Sequence, residues 1–154
     1  MNKADNIADR EVVISRVFDA PRELVWEAWT NPKHADKWWG PSGFVTITES
    51  MDFRVGGEWR YLMIGPDNTR YPNHQIFKEI IPPSILVCDH GDGERVWFEC
   101  TVTMEETSNG TLVTLRHLFP SKASRDEVVE KYGAIEGGKQ HLAKLEAYIK
   151  ENLS

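Results

Sequence analysis

The chain has 154 residues, enough for one domain that buries roughly 70% of the surface its unfolded form exposes. Its 24 acidic residues against 18 basic ones give a net charge of −6, which argues against a nucleic-acid partner, because such a partner needs a basic face. The two cysteines, Cys88 and Cys100, are far apart in sequence and stand in apolar strand patterns, so they are expected as reduced, buried thiols in a cytoplasmic protein.

Residues 1–10 read as a polar leader to a single domain spanning 1–154. Met1 to Asn6 lacks the apolar core of a secretion signal, and no run of the chain is long and apolar enough to span a bilayer. Glu11 to Phe18 reads as a first strand, with Val13, Ser15 and Val17 on one face and Val12, Ile14, Arg16 and Phe18 on the other. Pro21 starts a helix, since the first N–H groups of a helix have no internal partner, and Asn31-Pro32 stops it. That helix carries Leu24, Val25, Ala28 and Trp29 on one stripe. A second helical turn from Lys33 to Lys37 delivers Trp38 and Trp39 before Gly40-Pro41 ends the element. Trp26 and Trp29 are expected to pack the helices against a sheet. Trp38 and Trp39 read either as packing residues of the same kind or as the rim of a pocket, where exposed indoles could also support a homodimer rather than a monomer.

From Phe44 the pattern becomes strand and turn repeated. Strands are predicted for Phe44 to Phe53, Glu58 to Ile64, Tyr71 to Ile81, Ile85 to His90, Arg95 to Glu106 and Thr111 to Phe119. They are separated by a bend at Gly56-Gly57 and turns at Gly65-Pro66-Asp67-Asn68, Pro82-Pro83, Gly91-Asp92-Gly93 and Asn109-Gly110. Short connections force antiparallel pairing, so the chain forms a meander of about seven strands. Ser124-Arg125-Asp126-Glu127 then reads as a capping box opening one long helix. Its apolar stripe runs Val128, Tyr132, Ile135, Gly138, Leu142, Leu145, Ile149 and Leu153. Gly133, Gly137 and Gly138 predict a kink, or a close approach of the helix to the sheet or a ligand.

An antiparallel sheet of this size twists and curls, and a helix laid on its concave face cannot fill all of it. Alternation nominates the inward set: Trp59, Tyr61 and Met63; Phe98, Cys100, Val102 and Met104; Val113, Leu115 and His117. The fold class is therefore α+β, with a pocket expected between sheet and terminal helix. Trp38, Trp39, Tyr61, Met63, Phe77, Phe98, His117, Tyr132 and Leu142 are the candidate ligand-binding residues, for a small apolar or amphipathic molecule.

The order of Phe18-Asp19-Ala20-Pro21, Val25-Trp26-Glu27-Ala28-Trp29-Thr30-Asn31-Pro32, Trp38-Trp39-Gly40-Pro41, Gly56-Gly57-Glu58-Trp59, Lys78-Glu79-Ile80, Pro82-Pro83, the segment Gly110 to His117, and Leu142-Ala143-Lys144-Leu145 resembles the family called activator of heat-shock protein 90 ATPase homologue. That family lies within the START-like or SRPBCC superfamily, and the resemblance runs from about Val12 to Ile149. It implies a helix-grip fold, a curved sheet wrapped around the terminal helix over a deep hydrophobic cavity. It also implies a chaperone as a candidate partner and a stress-response role, but not one activity, because relatives include co-chaperones, lipid carriers and polyketide cyclases. One departure stands out: Gly137-Gly138-Lys139 occupies a place where family members often carry a tryptophan.

Chemistry is sparse. His117 is expected inward, either orienting a ligand's polar end, acting as acid or base, or hydrogen-bonded as a core residue. Glu79 alternates with Phe77 and is expected inward too, which makes His117, Glu79 and Tyr61 the residues a cyclase- or dehydratase-type enzyme would use. The tyrosine hydroxyls of Tyr61 and Tyr71 could face a pocket or bond to the backbone. Asp89-His90 before Gly91 reads as solvated loop. No Cys-x-x-Cys or His-x-x-x-His pair suggests a metal, no glycine-rich phosphate loop suggests a nucleotide, and Gly40-Pro41-Ser42-Gly43 lacks the pattern of a serine nucleophile. The sequence thus calls for no cofactor, no metal and no catalytic residue.

Overall fold

The computed structural model describes residues 7–153, so the leader residues 1–6 lie outside the described part. After a single 3-10 turn at Ile7–Arg10 come strand β1 (Glu11–Phe18), helices α1 (Arg22–Thr30) and α2 (Pro32–Trp38), and strands β2 (Val45–Met51), β3 (Glu58–Ile64), β4 (Arg70–Ile81), β5 (Ile85–Gly91), β6 (Val96–Thr107) and β7 (Gly110–Leu118). Helices α3 (Lys122–Tyr132) and α4 (Ala134–Asn152) close the chain. The strands form one antiparallel sheet in the order β1-β7-β6-β5-β4-β3-β2, a meander to which β1 is added beside β7.

In β1 the alternation resolves into Val12, Ile14 and Phe18 buried against Val13 and Val17 exposed. The inward faces of β3, β6 and β7 are those expected: Trp59 and Tyr61, Cys100, Val102 and Met104, Val113 and Leu115 are all buried. Asn31 serves both short helices, ending α1 and capping α2 by accepting from the Lys33 N–H at 3.0 Å. On α4, Leu142, Leu145 and Ile149 recur at spacings of three and four and lie in the core. Glu146 ties this helix to the first strand, accepting from Arg16 Nε at 2.9 Å and from the Asp19 N–H at 3.1 Å.

The terminal helix differs from expectation in two ways. It is capped three residues earlier, where Ser121 Oγ accepts from the Ser124 N–H at 3.0 Å and Ser124 Oγ accepts in return from the Ser121 N–H at 3.2 Å. Ser124 therefore fills the third helical position rather than the cap. The helix is also two helices, because Gly133 adopts the left-handed conformation, φ 62°, and its N–H donates to the Val128 carbonyl. The apolar spacing runs through this break, but Tyr132 and Ile135 on either side of it are exposed.

Candidate functional site

The interface between sheet and α4 has two halves. One is filled by aromatic rings. Trp29 of α1 lies 5.2 Å from Trp38 and 5.3 Å from Trp39, Trp39 meets Trp59 of β3 at 4.7 Å, and Trp59 stacks on Tyr61 at 4.0 Å. Two of the indoles also satisfy their N–H groups: Trp38 Nε1 donates to the Ala28 carbonyl at 2.9 Å and Trp59 Nε1 to Thr48 Oγ1 at 3.0 Å. Trp38 and Trp39 are thus core residues rather than an exposed rim, because α2 folds back between α1, β2 and α4.

The other half is hollow, with a cavity of about 240 Å³. Strands β6 and β7 supply its floor with Phe98, Cys100, Leu115 and His117. Met63, Gln75 and His90 form one wall, and Trp39, Gly137, Gly138 and His141 the roof. Its mouth lies at the α3–α4 junction, where the lining residues Tyr132 and Gly133 are exposed, Tyr132 to 68%. The segment at the mouth is held to α4 by three hydrogen bonds: the Gly40 N–H donates to His141 Nδ1 at 3.1 Å, the Ser42 N–H to Gln140 Oε1 at 3.2 Å, and Lys144 Nζ to the Pro41 carbonyl at 3.1 Å. A side chain on Gly138 would collide with Ile14 of β1, so glycine there lets α4 approach the sheet closely.

Three histidines line this space, and hydrogen bonds fix the tautomers of His90 and His141. His141 Nδ1 accepts from Gly40, so the proton sits on Nε2, which has no protein partner among the described residues. At His90, Nε2 lies 2.8 Å from Asn73 Oδ1 and 3.1 Å from Tyr61 Oη. Asn73 Nδ2 donates to the Tyr71 carbonyl, which fixes Oδ1 as the atom facing the imidazole, so His90 Nε2 donates and its Nδ1 is a bare acceptor. Gln75 Nε2 donates to Tyr61 Oη at 2.8 Å, completing the network behind His90. His117 stacks on Phe98 at 4.3 Å and has no hydrogen-bond partner among the described residues. Burial pulls His117 down to about 4. Burial, aided by repulsion from the neighbouring imidazoles and, at His141, from the Lys144 ammonium, pulls His90 and His141 down to about 3. All three are neutral at pH 7. Burial also pushes Tyr61 above its ordinary phenol value and Cys88 up to about 12.

Of the residues singled out from sequence, Trp39, Met63, Phe98, His117 and Tyr132 border the cavity. Trp38 and Tyr61 lie in the aromatic half, Phe77 packs edge-on against Phe53 at 5.0 Å, and Leu142 is buried on α4. Glu79 is exposed, because a bulge between Phe77 and Glu79 in the β4–β5 pairing shifts the alternation by one residue. His90 is not loop: β5 continues through it to Gly91 and turns its ring inward. His141 was not singled out, although it shares a helical face with Gly138 and Leu145 at spacings of three and four. Cys88 and Cys100 face each other across β5 and β6 as free, buried thiols.

No helix of the described residues is long and apolar enough to cross a membrane. No curated protein matches the chain. Among solved structures, one from Arthrobacter aurescens is 26% identical, with a TM-score of 0.86 over 97% of this chain and 91% of that one. A protein from Nitrosomonas europaea is 24% identical, with a TM-score of 0.85 over 94% and 96%. An AHSA1-like protein from Aeromonas hydrophila is 21% identical, with a TM-score of 0.73 over 92% of each. The model of the family described as Activator of Hsp90 ATPase homolog 1-like protein matches residues 19–150, and the chain belongs to that family, with the seven-stranded antiparallel sheet and long terminal helix of a START-like domain.

Proposed function

We propose that this protein binds a small apolar or amphipathic molecule between its sheet and α4. The observation that carries this reading is the cavity of about 240 Å³ beside an otherwise tightly packed aromatic core. An apolar cavity of about 150 Å³ takes up benzene, so this one has room for one or two rings or a short acyl chain. Trp39, Met63, Phe98, His117 and Tyr132 would touch the guest, while Trp38, Tyr61, Phe77 and Leu142 would hold the surrounding walls. A binding role fits the imidazoles better than acid–base catalysis does. A base works best when its pKa is near the operating pH, and these groups titrate near 3 to 4. Glu79, on the solvent side, supplies no carboxylate to the cavity.

Thermal unfolding with a panel of apolar compounds tests the reading. A ligand at a hundred times its Kd adds about 2.7 kcal/mol, which for a domain of this size raises Tm by roughly 5 to 10 °C. Failure of every compound to raise Tm, with nothing co-purifying in native mass spectrometry, overturns it. The family's name makes an Hsp90-type chaperone the protein partner to test. Stimulation of that chaperone's ATPase by the purified chain would favour an activator role, whereas a ligand carrier leaves the rate unchanged.

A further inference from the structure

Among the described residues, the side chains around the cavity include no Asp, Glu, Lys or Arg. Its polar groups are therefore uncharged, and two of them have fixed and opposite character: among the described residues His141 Nε2 is a donor with no protein partner, its Nδ1 accepting from Gly40, and His90 Nδ1 is an acceptor with none, its Nε2 serving Asn73. Trp29, Trp39, Phe98, Phe119 and Tyr132 contribute rings to the remaining wall, beside the aliphatic Met63, Leu115 and Val128.

We infer that the cavity selects an uncharged aromatic compound of one or two rings bearing a hydroxyl or carbonyl group, and rejects a carboxylate of the same size. The inference rests on the ligand-binding reading and narrows it to a chemical class. Ring guests gain edge-to-face contacts with ring walls beyond the area they bury. A hydroxyl can donate to His90 Nδ1 or accept from His141 Nε2–H, and a carbonyl can accept from the latter, so neither protein atom need lose its water without replacement. A carboxylate would enter with no cation on the cavity wall, since the nearby Lys144 Nζ is engaged with the Pro41 carbonyl. The imidazoles cannot readily supply one, since a group titrating near 4 is protonated about once in a thousand at pH 7. An unpaired buried charge is the costliest group a pocket can take.

Calorimetric titration of the full chain at pH 7.5 with naphthalene, 2-naphthol, 2-naphthoate and 1-decanol tests this. The expected result is that 2-naphthol binds about tenfold tighter than naphthalene, as one or two net hydrogen bonds allow, and about a hundredfold tighter than 2-naphthoate. Equal or tighter binding of 2-naphthoate overturns the charge selectivity, and equal binding of naphthalene overturns the role of the imidazoles. Both outcomes leave the ligand-binding reading standing. Binding of 1-decanol alone overturns the aromatic preference and keeps that reading, while binding of none of the four overturns both. Imidazole ¹⁵N spectra give a second readout: 2-naphthol should shift His141 Nε2 or His90 Nδ1, and unchanged nitrogens in a saturated complex count against the inference. In His141→Phe the preference for 2-naphthol over naphthalene should drop to about twofold. If that variant does not fold, the wild-type titrations and spectra decide.

Discussion

The two halves of the sheet–helix interface use the same kinds of ring for opposite ends. In the filled half, indoles interlock and give their N–H groups to Ala28 and Thr48. In the hollow half, imidazoles keep ring nitrogens without protein partners among the described residues, between apolar walls. His141 stands at the boundary, 4.7 Å from Trp38 and 4.5 Å from Trp39 on one side and bordering the cavity on the other. The lesson is that completed hydrogen bonding marks where the chain secures its fold, and incomplete hydrogen bonding marks where it can engage something else.

The largest expected effect comes from pH acting on the hollow half. His90, His117 and His141 titrate near 3 to 4 when folded, against about 6.5 unfolded. Between those values the unfolded chain binds more protons, so stability is fully present above about pH 6.5 and is lost as pH falls toward 4. At pH 5 each histidine should cost about 2 kcal/mol, and about 6 kcal/mol for all three if they act independently. Urea unfolding at pH 7.5 and 5.0 checks this, and a triple His→Phe variant should flatten the dependence.

Next is the filled half. Trp38→Ala should destabilise by about 3 to 5 kcal/mol, through the void it leaves and the orphaned Ala28 carbonyl, read as a lower urea midpoint. Tyr132→Ala at the mouth should change stability by less than about 0.5 kcal/mol, since the side chain is largely exposed, yet alter the affinity or exit rate of any bound probe. The adjacent glycines sharpen the contrast. Alanine in a helix interior gains up to about 1 kcal/mol over glycine, and at Gly137 the added methyl would meet only Pro41 at ordinary contact distance. Gly137→Ala should therefore stabilise by about 0.5 to 1 kcal/mol. Gly138→Ala should instead destabilise by about 1 to 2 kcal/mol, because Ile14 must move, and adding Ile14→Val should recover part of the loss. Thermal midpoints of the three variants decide it.

The fold was legible because its signals are redundant. Period-two alternation, turn dipeptides and the Leu142, Leu145, Ile149 spacing each point to the same sheet and helix. What the sequence hid are single-residue events that leave the average pattern intact. One bulge turns Glu79 outward, and one left-handed glycine divides an apolar stripe that reads as continuous. His90 was obscured by its neighbours, since Asp89 and Gly91 resemble a turn although the strand includes them both. His141 carried a readable signal, its place beside the buried stripe, but a polar residue there is ordinarily taken as the edge of a helix. The departure at Gly137-Gly138, by contrast, was visible at once, and these two residues now form part of the cavity roof.

The break at Gly133 separates two helices of unequal anchorage. Helix α4 sinks three side chains into the core and is bonded to β1 through Glu146, whereas α3 has no fully buried residue. Because the mouth opens beside α3, a guest of the kind proposed would come and go by loosening one shallow segment while the sheet and α4 remain intact, so its exchange would draw on local rather than global unfolding. Backbone amides from Lys122 to Tyr132 should accordingly exchange with deuterium well before those of Leu142 to Ile149.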